Sequence, residues 1–334
     1  MERKVHWDNT AVNNLLECNR KYYFSQLLAS KTRTRPLPRK VHELKKMQNL
    51  SMWQGSVVDR FMETVIIPGI SAKKPLDFTA LADQAVELAK KQFEYSRLAI
   101  YTDPVAGRLE TAPEFCILDI HELGKPYEEK ELVEAYDNIR SAILRLPEIR
   151  MPDGQTLLGF LQQCSSLTPN VYTWKAEIEQ AIVKPQIDLM ALHDYKPVVM
   201  DWKLSRSYTA DYARQLTICG VVVYLKRLGN PDKRPYRPED IHLFEVNLFK
   251  GTVKQHPFTS EHANEMIDEI NLSSQDIALL LGENEEPDIQ NFEGTNNDGA
   301  CKTCNFRSIC AFLYLNDVYD EKAYAEFVQT AQFA

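Results

Sequence analysis

Several features that would fix a protein's class at once are missing from this sequence of 334 residues. No apolar run reaches the ~18 residues that a membrane-spanning helix needs. The opening, MERKVHWDNTAVNNLLECNRK, has no continuous apolar core of the signal-peptide kind. A cytoplasmic chain is therefore expected. Glycine is sparse, at 12 residues, and none of it forms a phosphate-cradling loop or Walker motif, so ATP hydrolysis by this chain is not expected. Internal repeats and low-complexity tracts are absent too. Positive charge is not in excess: 39 Lys and Arg against 47 Asp and Glu leave a formal net charge of −8. That balance argues against a polybasic nucleic-acid coat, although a local basic groove can coexist with it. The seven cysteines are too few for a disulfide scaffold in so long a chain, and their odd count leaves at least one unpaired. In a reducing compartment, clustered thiols point to metal before disulfide.

The composition that is present, 44% apolar and 26% charged, is that of a globular protein and excludes a disordered, collagen-like or coiled-coil chain. At roughly 150 residues per domain the length suggests about two units, or one large core with an insertion. Residues 8–28 read as one helix, capped by Asp8 or Asn9, with Val12, Leu15, Leu16, Tyr23, Phe24 and Leu27 along an apolar stripe. KTRTRPLPRKVHELKK then carries seven Lys and Arg over residues 31–46 with two prolines, and reads as an extended, exposed connection. Arg33, Arg35, Arg39 and Lys40 in it are candidate contacts to a DNA backbone, with Trp53 and Tyr22 or Tyr23 near enough to stack bases. A helix through Trp53, Val57, Val58, Phe61 and Val65 follows, and the pattern from about 70 to 165 stays mainly helical.

After Pro169 the pattern changes. VYTWKAEIEQAIV, KPQIDLMAL and VVMDWKLS read as three strands of an antiparallel meander, with HDYKP as a turn. A helix from about Ala210 to Arg227, two further strands and a long helix complete a mixed α/β core. Asp201 and Lys203, two apart on a strand, share a face. The HDYKP turn brings Asp188 close to Asp201, which follows the apolar run Pro197–Met200 and so ends a buried strand. Two carboxylates converging with one ammonium are suited to phosphodiester hydrolysis with Mg²⁺ or Mn²⁺: the acids hold the cation, and the lysine orients a water or stabilises developing charge. Glu177, or Glu179, on the preceding strand is a candidate further ligand. The competing reading is a turn-capping Asp188 beside an exposed Asp201–Lys203 ion pair.

An aspartate ending one strand, IDLMA, and a D-x-K on the next, VVMDWKLS, resemble the signature of the PD-(D/E)XK nuclease superfamily, and within it of the RecB-like exonucleases. The resemblance implies a restriction-endonuclease-like fold, a mixed central sheet flanked by helices. It extends to the Q-L-x-x-Y motif of the RecB-like group, where Gln215 of QLTIC matches and Cys219 replaces the tyrosine. It extends also to a G-x-x-x-H helix followed by glutamate, where WQGSVVDRFMETV supplies Gly55 and Glu63 and puts Asp59 in the histidine position. Aspartate is a competent hard ligand for Mg²⁺ or Mn²⁺.

Near the C-terminus, CKTCNFRSIC sets Cys301, Cys304 and Cys310 in a C-x2-C-x5-C pattern. In iron–sulfur RecB-like exonucleases, the AddB type and the CRISPR-associated ones, a fourth thiolate comes from far upstream in a segment similar to CNRKYYF at Cys18. The resemblance thus implies a 4Fe-4S cluster on Cys18, Cys301, Cys304 and Cys310, and the C-terminal cysteines packed against the N-terminal helix. A zinc site of the same four thiolates would use similar spacing. The chain then divides into an N-terminal helical part with the first cysteine (1–65), a helical insertion (66–168), a catalytic core (169–290) and an iron–sulfur segment (291–334). The implied function is a metal-dependent deoxyribonuclease acting on single-stranded DNA or DNA ends, in repair, recombination or phage and CRISPR-type defence, with a helicase or defence complex as partner. The alternatives are a non-catalytic DNA-binding or scaffolding subunit and a zinc-stabilised interaction protein.

Overall fold

The computed structural model describes residues 4–31, 35–103, 110–206, 212–230, 234–282 and 287–316. In chain order its labelled elements begin with β1 (Val5–Trp7), α1 (Asn9–Glu17), α2 (Asn19–Tyr22), α3 (Pro36–Lys46) and α4 (Leu50–Phe61). There follow α5 (Ile67–Ser71), α6 (Phe78–Arg97), α7 (Asp119–Glu122), α8 (Glu129–Arg145) and α9 (Leu157–Gln163). Strands β2 (Ser166–Val171), β3 (Ala176–Ile178), β4 (Ala181–Val183), β5 (Ile187–His193) and β6 (Lys196–Lys203) come next. The chain continues with α10 (Ala213–Leu228), β7 (His242–Asn247), β8 (Thr252–His256), α11 (Ser260–Leu281), α12 (Asp298–Thr303) and α13 (Arg307–Asn316).

The main sheet has the order β2-β5-β6-β7-β8, in which β6 and β7 are parallel and the other neighbours antiparallel. The sheet is thus mixed and flanked by helices, the arrangement that the resemblance implies. The alternation of β6 explains how both of its faces are covered. Val198, Met200 and Trp202 join one core with α4, α6, α8 and α9, whereas Val199 joins a second with α1, α10 and α11. The helical stretch 66–168 therefore shares its core with the sheet: Ala85, Ala135, Ile139 and Ile143 bury against the layer that also holds Leu189 and Val198.

Three local expectations are corrected. VYTWKAEIEQAIV is not one strand, because Glu179 takes a left-handed turn (φ 48°) and folds β3 back on β4 in a separate small sheet, β1-β4-β3. Pro169 is no boundary either. It lies within β2, and as β2 is an edge strand the missing N–H need not belong to the ladder. Residues 8–28 are not one helix: Cys18 is extended (φ −169°, ψ 120°), which separates α1 from α2, and Tyr23–Leu28 then winds as a π-turn. A second π-turn, Met62–Ile66, prolongs α4.

Trp53 ties α6 and α8 to the sheet core. It is fully buried, its indole N–H donates to Gln92 Oε1 at 2.8 Å, and its ring packs on Phe93 and Tyr136. Trp53→Ala should cost about 3–5 kcal/mol in one cooperative urea transition. Two separate transitions would show that the insertion folds independently.

Candidate active site

Strands β5 and β6 pair from His193↔Lys196 to Leu189↔Met200. Beyond that pair the Asp188 carboxylate takes over from the backbone, its Oδ2 accepting from Trp202 N at 2.9 Å. Asp201 follows one residue later than the last ladder pair and is only 5% exposed. Lys203 Nζ lies 2.5 Å from Asp201 Oδ2 and 4.6 Å from the centre of the Tyr212 ring. Gln215, in the first turn of α10, bridges the pair: its Nε2 donates to Asp201 Oδ1 at 2.9 Å and its Oε1 accepts from Lys203 Nζ at 3.3 Å. Asp188, Asp201, Lys203 and Gln215 are therefore brought together, as is Asp59, which lines the same cavity of about 650 Å³ from α4.

The electrostatics follow from this crowding. Burial raises the pKa of Asp59 well above the usual carboxylate range, and Asp188 and Asp201 raise it further. Burial likewise raises Asp188. It pushes Asp201 up to about 7, with Asp188 adding to the shift. For Lys203 burial works to lower the pKa, but Asp201, Asp188 and Asp59 together carry it above its ordinary value. Asp201 Oδ2 is buried and, beyond its ion pair with Lys203, has no hydrogen-bond donor of suitable geometry among the described residues. No three His, Cys, Asp or Glu groups among the described residues form a ready-made ion site. The fit to Mg²⁺ or Mn²⁺ therefore rests on the donors themselves: two adjacent carboxylates are the number Mg²⁺ commonly takes, with water and phosphate oxygens completing its shell. Cys219 sits one turn beyond Gln215, fully enclosed, where burial raises its thiol pKa.

Other expected residues lie elsewhere. Glu177 is on β3 in the small sheet, its side chain 54% exposed and paired with Lys4 at 3.4 Å, outside the acidic group. Arg33 falls outside the described residues. The stretch from Pro36 onward is a helix rather than an exposed connection: two prolines suit its first turn. Arg35 is exposed just before it. Arg39 is turned inward, bonding Glu43 and Glu110 at 2.9 Å each, and Lys40 pairs with Glu122 and Glu43. These internal ion pairs leave Arg39 no open face for a phosphate. Besides Lys203, the cations that line this acidic cavity are Lys45, Lys46 and Lys184. Lys46 and Lys184 have no ion pair or side-chain hydrogen bond among the described residues. The Lys45-Lys46 doublet ending α3 was the available signal for them.

Cys18, Cys301, Cys304 and Cys310 line a second cavity, of about 430 Å³, with Arg20, Lys21 and Arg307. All four thiols are free. Cys310 feels both Cys18 and Cys301, and Cys304 feels Cys18 and Cys310. Burial raises the Cys304 and Cys310 thiols, while Arg20 beside Cys310 (Nη1 to Sγ 3.9 Å) and Lys21 near Cys304 work the other way. The C-terminal cysteines are thus packed against the N-terminal helices across 283 residues (301 − 18) of chain.

A mixed sheet with two aspartates, a lysine and a helix-borne glutamine at its strand ends has the layout of a nuclease core. The family model of the PD-(D/E)XK nuclease superfamily matches residues 7–311, and the chain belongs to that superfamily. Its members are generally nucleases. A solved structure described as "Crystal structure of SSO0001" is 16% identical over 67% of this chain and 93% of that one, with a TM-score of 0.28, too distant to bear on the site. No curated protein matches the chain.

The raised Asp201 has a measurable consequence. In the unfolded chain this carboxyl ionises near ~4. Between there and about 7 the folded protein holds a proton that the unfolded chain has lost, so its stabilising effect is present at acidic pH and lost as pH rises through about 7. Thermal melts of metal-free protein from about pH 5 to about pH 8 should therefore fall more steeply for wild type than for Asp201→Asn, by on the order of 1 kcal/mol per pH unit. Mg²⁺ should close the gap at the alkaline end. Parallel profiles would refute the assignment.

Proposed function

We propose that this chain is a divalent-metal-dependent deoxyribonuclease, acting on single-stranded DNA or DNA ends. The observation that carries the reading is the constellation of buried Asp201 with half-buried Asp188, Lys203 and Gln215, opening on a cavity that Lys46 and Lys184 also line. Asp188 and Asp201 would hold Mg²⁺ or Mn²⁺, with Asp59 assisting. Such an ion, when bound, supplies a Lewis acid for the phosphoryl oxygen and acidifies a water. The remaining work falls to the chain. Lys203 positions the attacking water and offsets the charge that develops on the phosphorus oxygens. Gln215 accepts from Lys203 and donates to Asp201, and so holds the ammonium and the carboxylate in one fixed arrangement. Lys46 and Lys184 attract the polyanionic backbone into a cavity whose own acids would otherwise repel it.

The four-cysteine cavity supports a structural 4Fe-4S cluster. Four free thiols share one space, and Arg20, Lys21 and Arg307 line it to offset the negative charge of a thiolate-bound cluster. Such a cluster would clamp the two ends of the chain together. Free thiols suit a reducing, cytoplasmic setting. The resemblance to RecB-like enzymes supports a helicase or defence complex as the partner that delivers DNA.

Protein prepared without oxygen, given Mg²⁺ or Mn²⁺ and linear or circular single- and double-stranded DNA, should cut linear strands. Lys203→Ala and Asp201→Ala should each reduce cutting at least ~100-fold without altering the visible absorbance of the cluster. Cys304→Ser should remove that absorbance. Undiminished cutting by both active-site variants would end the catalytic assignment. DNA binding without cleavage under any metal would favour the scaffolding subunit, and a colourless protein with one zinc and no iron would favour the zinc-stabilised interaction protein.

A further inference from the structure

The two cavities, one lined by thiols and one by carboxylates, are joined through the end of α3. The last carbonyls of a helix have no partner within it and need one from outside. Leu44 O accepts from Met47 N at 3.3 Å, and a residue of the cysteine segment adds a second donor: Asn305, between Cys304 and Phe306, donates from Nδ2 to Leu44 O at 3.1 Å and to Met47 O at 3.4 Å. A second tie comes from the other cysteine-bearing segment. Lys45 Nζ donates to Ser25 O at 2.6 Å, and Ser25, buried in the π-turn that follows Cys18 and α2, is itself held by Asn14. An apolar layer backs both ties, with Phe24 packed on Phe306 (ring centres 5.6 Å apart) beside Leu44 and Met47. The residue between these fixed points is Lys46, which lines the cavity that holds Asp188 and Asp201 and has no ion pair among the described residues.

We infer that Asn305 is a positioning residue for substrate binding: by holding the end of α3 it keeps Lys46 over the catalytic cavity, so that the state of the cysteine cavity sets the grip on the phosphate backbone. This deepens the nuclease reading and rests on it. The substrate class is a nucleic-acid phosphodiester, and the effect is on affinity rather than on chemistry. Asn305 touches neither the carboxylates nor the substrate. Its loss frees Met47 O, leaves Leu44 O with the Met47 N–H alone, loosens the last turn of α3 and lets Lys46 leave the cavity, while the four thiols stay in place.

The test is a double-mutant cycle with Asn305→Ala and Lys46→Ala in the metal-loaded full chain. It reads the Kd for a fluorescein-labelled single-stranded oligonucleotide in Ca²⁺, KM and kcat in Mg²⁺, and iron and zinc content. Asn305→Ala should raise Kd and KM about three- to tenfold, as befits the loss of a hydrogen-bonded cap, with kcat and metal content unchanged. Adding it to Lys46→Ala should raise Kd no further. A fall in kcat at constant KM, loss of metal, unchanged Kd or full additivity with Lys46→Ala would each overturn the inference. If Asn305→Ala does not fold, Asn305→Gln, which keeps the amide but displaces it by one methylene, decides the matter by the same readings. Wild-type protein that neither binds nor cuts DNA would instead defeat the nuclease reading itself.

Discussion

Two aspartates held against each other, one buried and one half-buried, are the constraint around which this structure is organised. Asp188 and Asp201 cannot both be ionised there at low cost, so every neighbour answers to them. Lys203 and Gln215 bind to Asp201, the Trp202 N–H turns to Asp188, and α4 contributes a third acid rather than a screening cation. In the bare protein the charge is relieved by retained protons and by one ammonium. A divalent cation would relieve it more completely, and binding would then release those protons.

Much of this was legible in the sequence, because it depends on short-range order. The apolar run Val198–Met200 and the alternation through Asp201 and Lys203 define a strand end whatever the rest of the chain does, and the HDYKP turn fixes which strand lies beside it. What was not legible depends on distant partners. Seven cations over sixteen residues look solvated until Glu110 and Glu122, some seventy and eighty residues on, are seen to neutralise Arg39 and Lys40. Glu177 looked equivalent to an inward acid because a three-residue strand presents either parity equally well, and only the pairing of β3 with β4 sends it toward Lys4. The break at Cys18 turns on the backbone of one residue inside an otherwise helical pattern.

The cysteine segments and the aspartate-bearing strands are far apart in sequence, yet α3 touches the first and lines the cavity of the second. The layer of Phe24, Leu44, Met47 and Phe306 is a small satellite core, separate from the two that cover the sheet. Small cores of this kind open at lower free energy than large ones. A group bound in the thiol cavity would therefore act beside the smallest of the three cores, where an added restraint has few other contacts to compete with.

One feature of the topology places the glutamine. Since β6 and β7 run parallel, the chain must return along the sheet between them, and α10 is that return. Its first turn consequently lies where β6 ends, beside Asp201, and the positive end of its dipole points at the acids. Gln215 thus owes its position to strand direction before any hydrogen bond is made. A chain that kept this strand order but replaced the glutamine would still carry a partial positive charge at the same point, an electrostatic floor under the site that no single side-chain change removes.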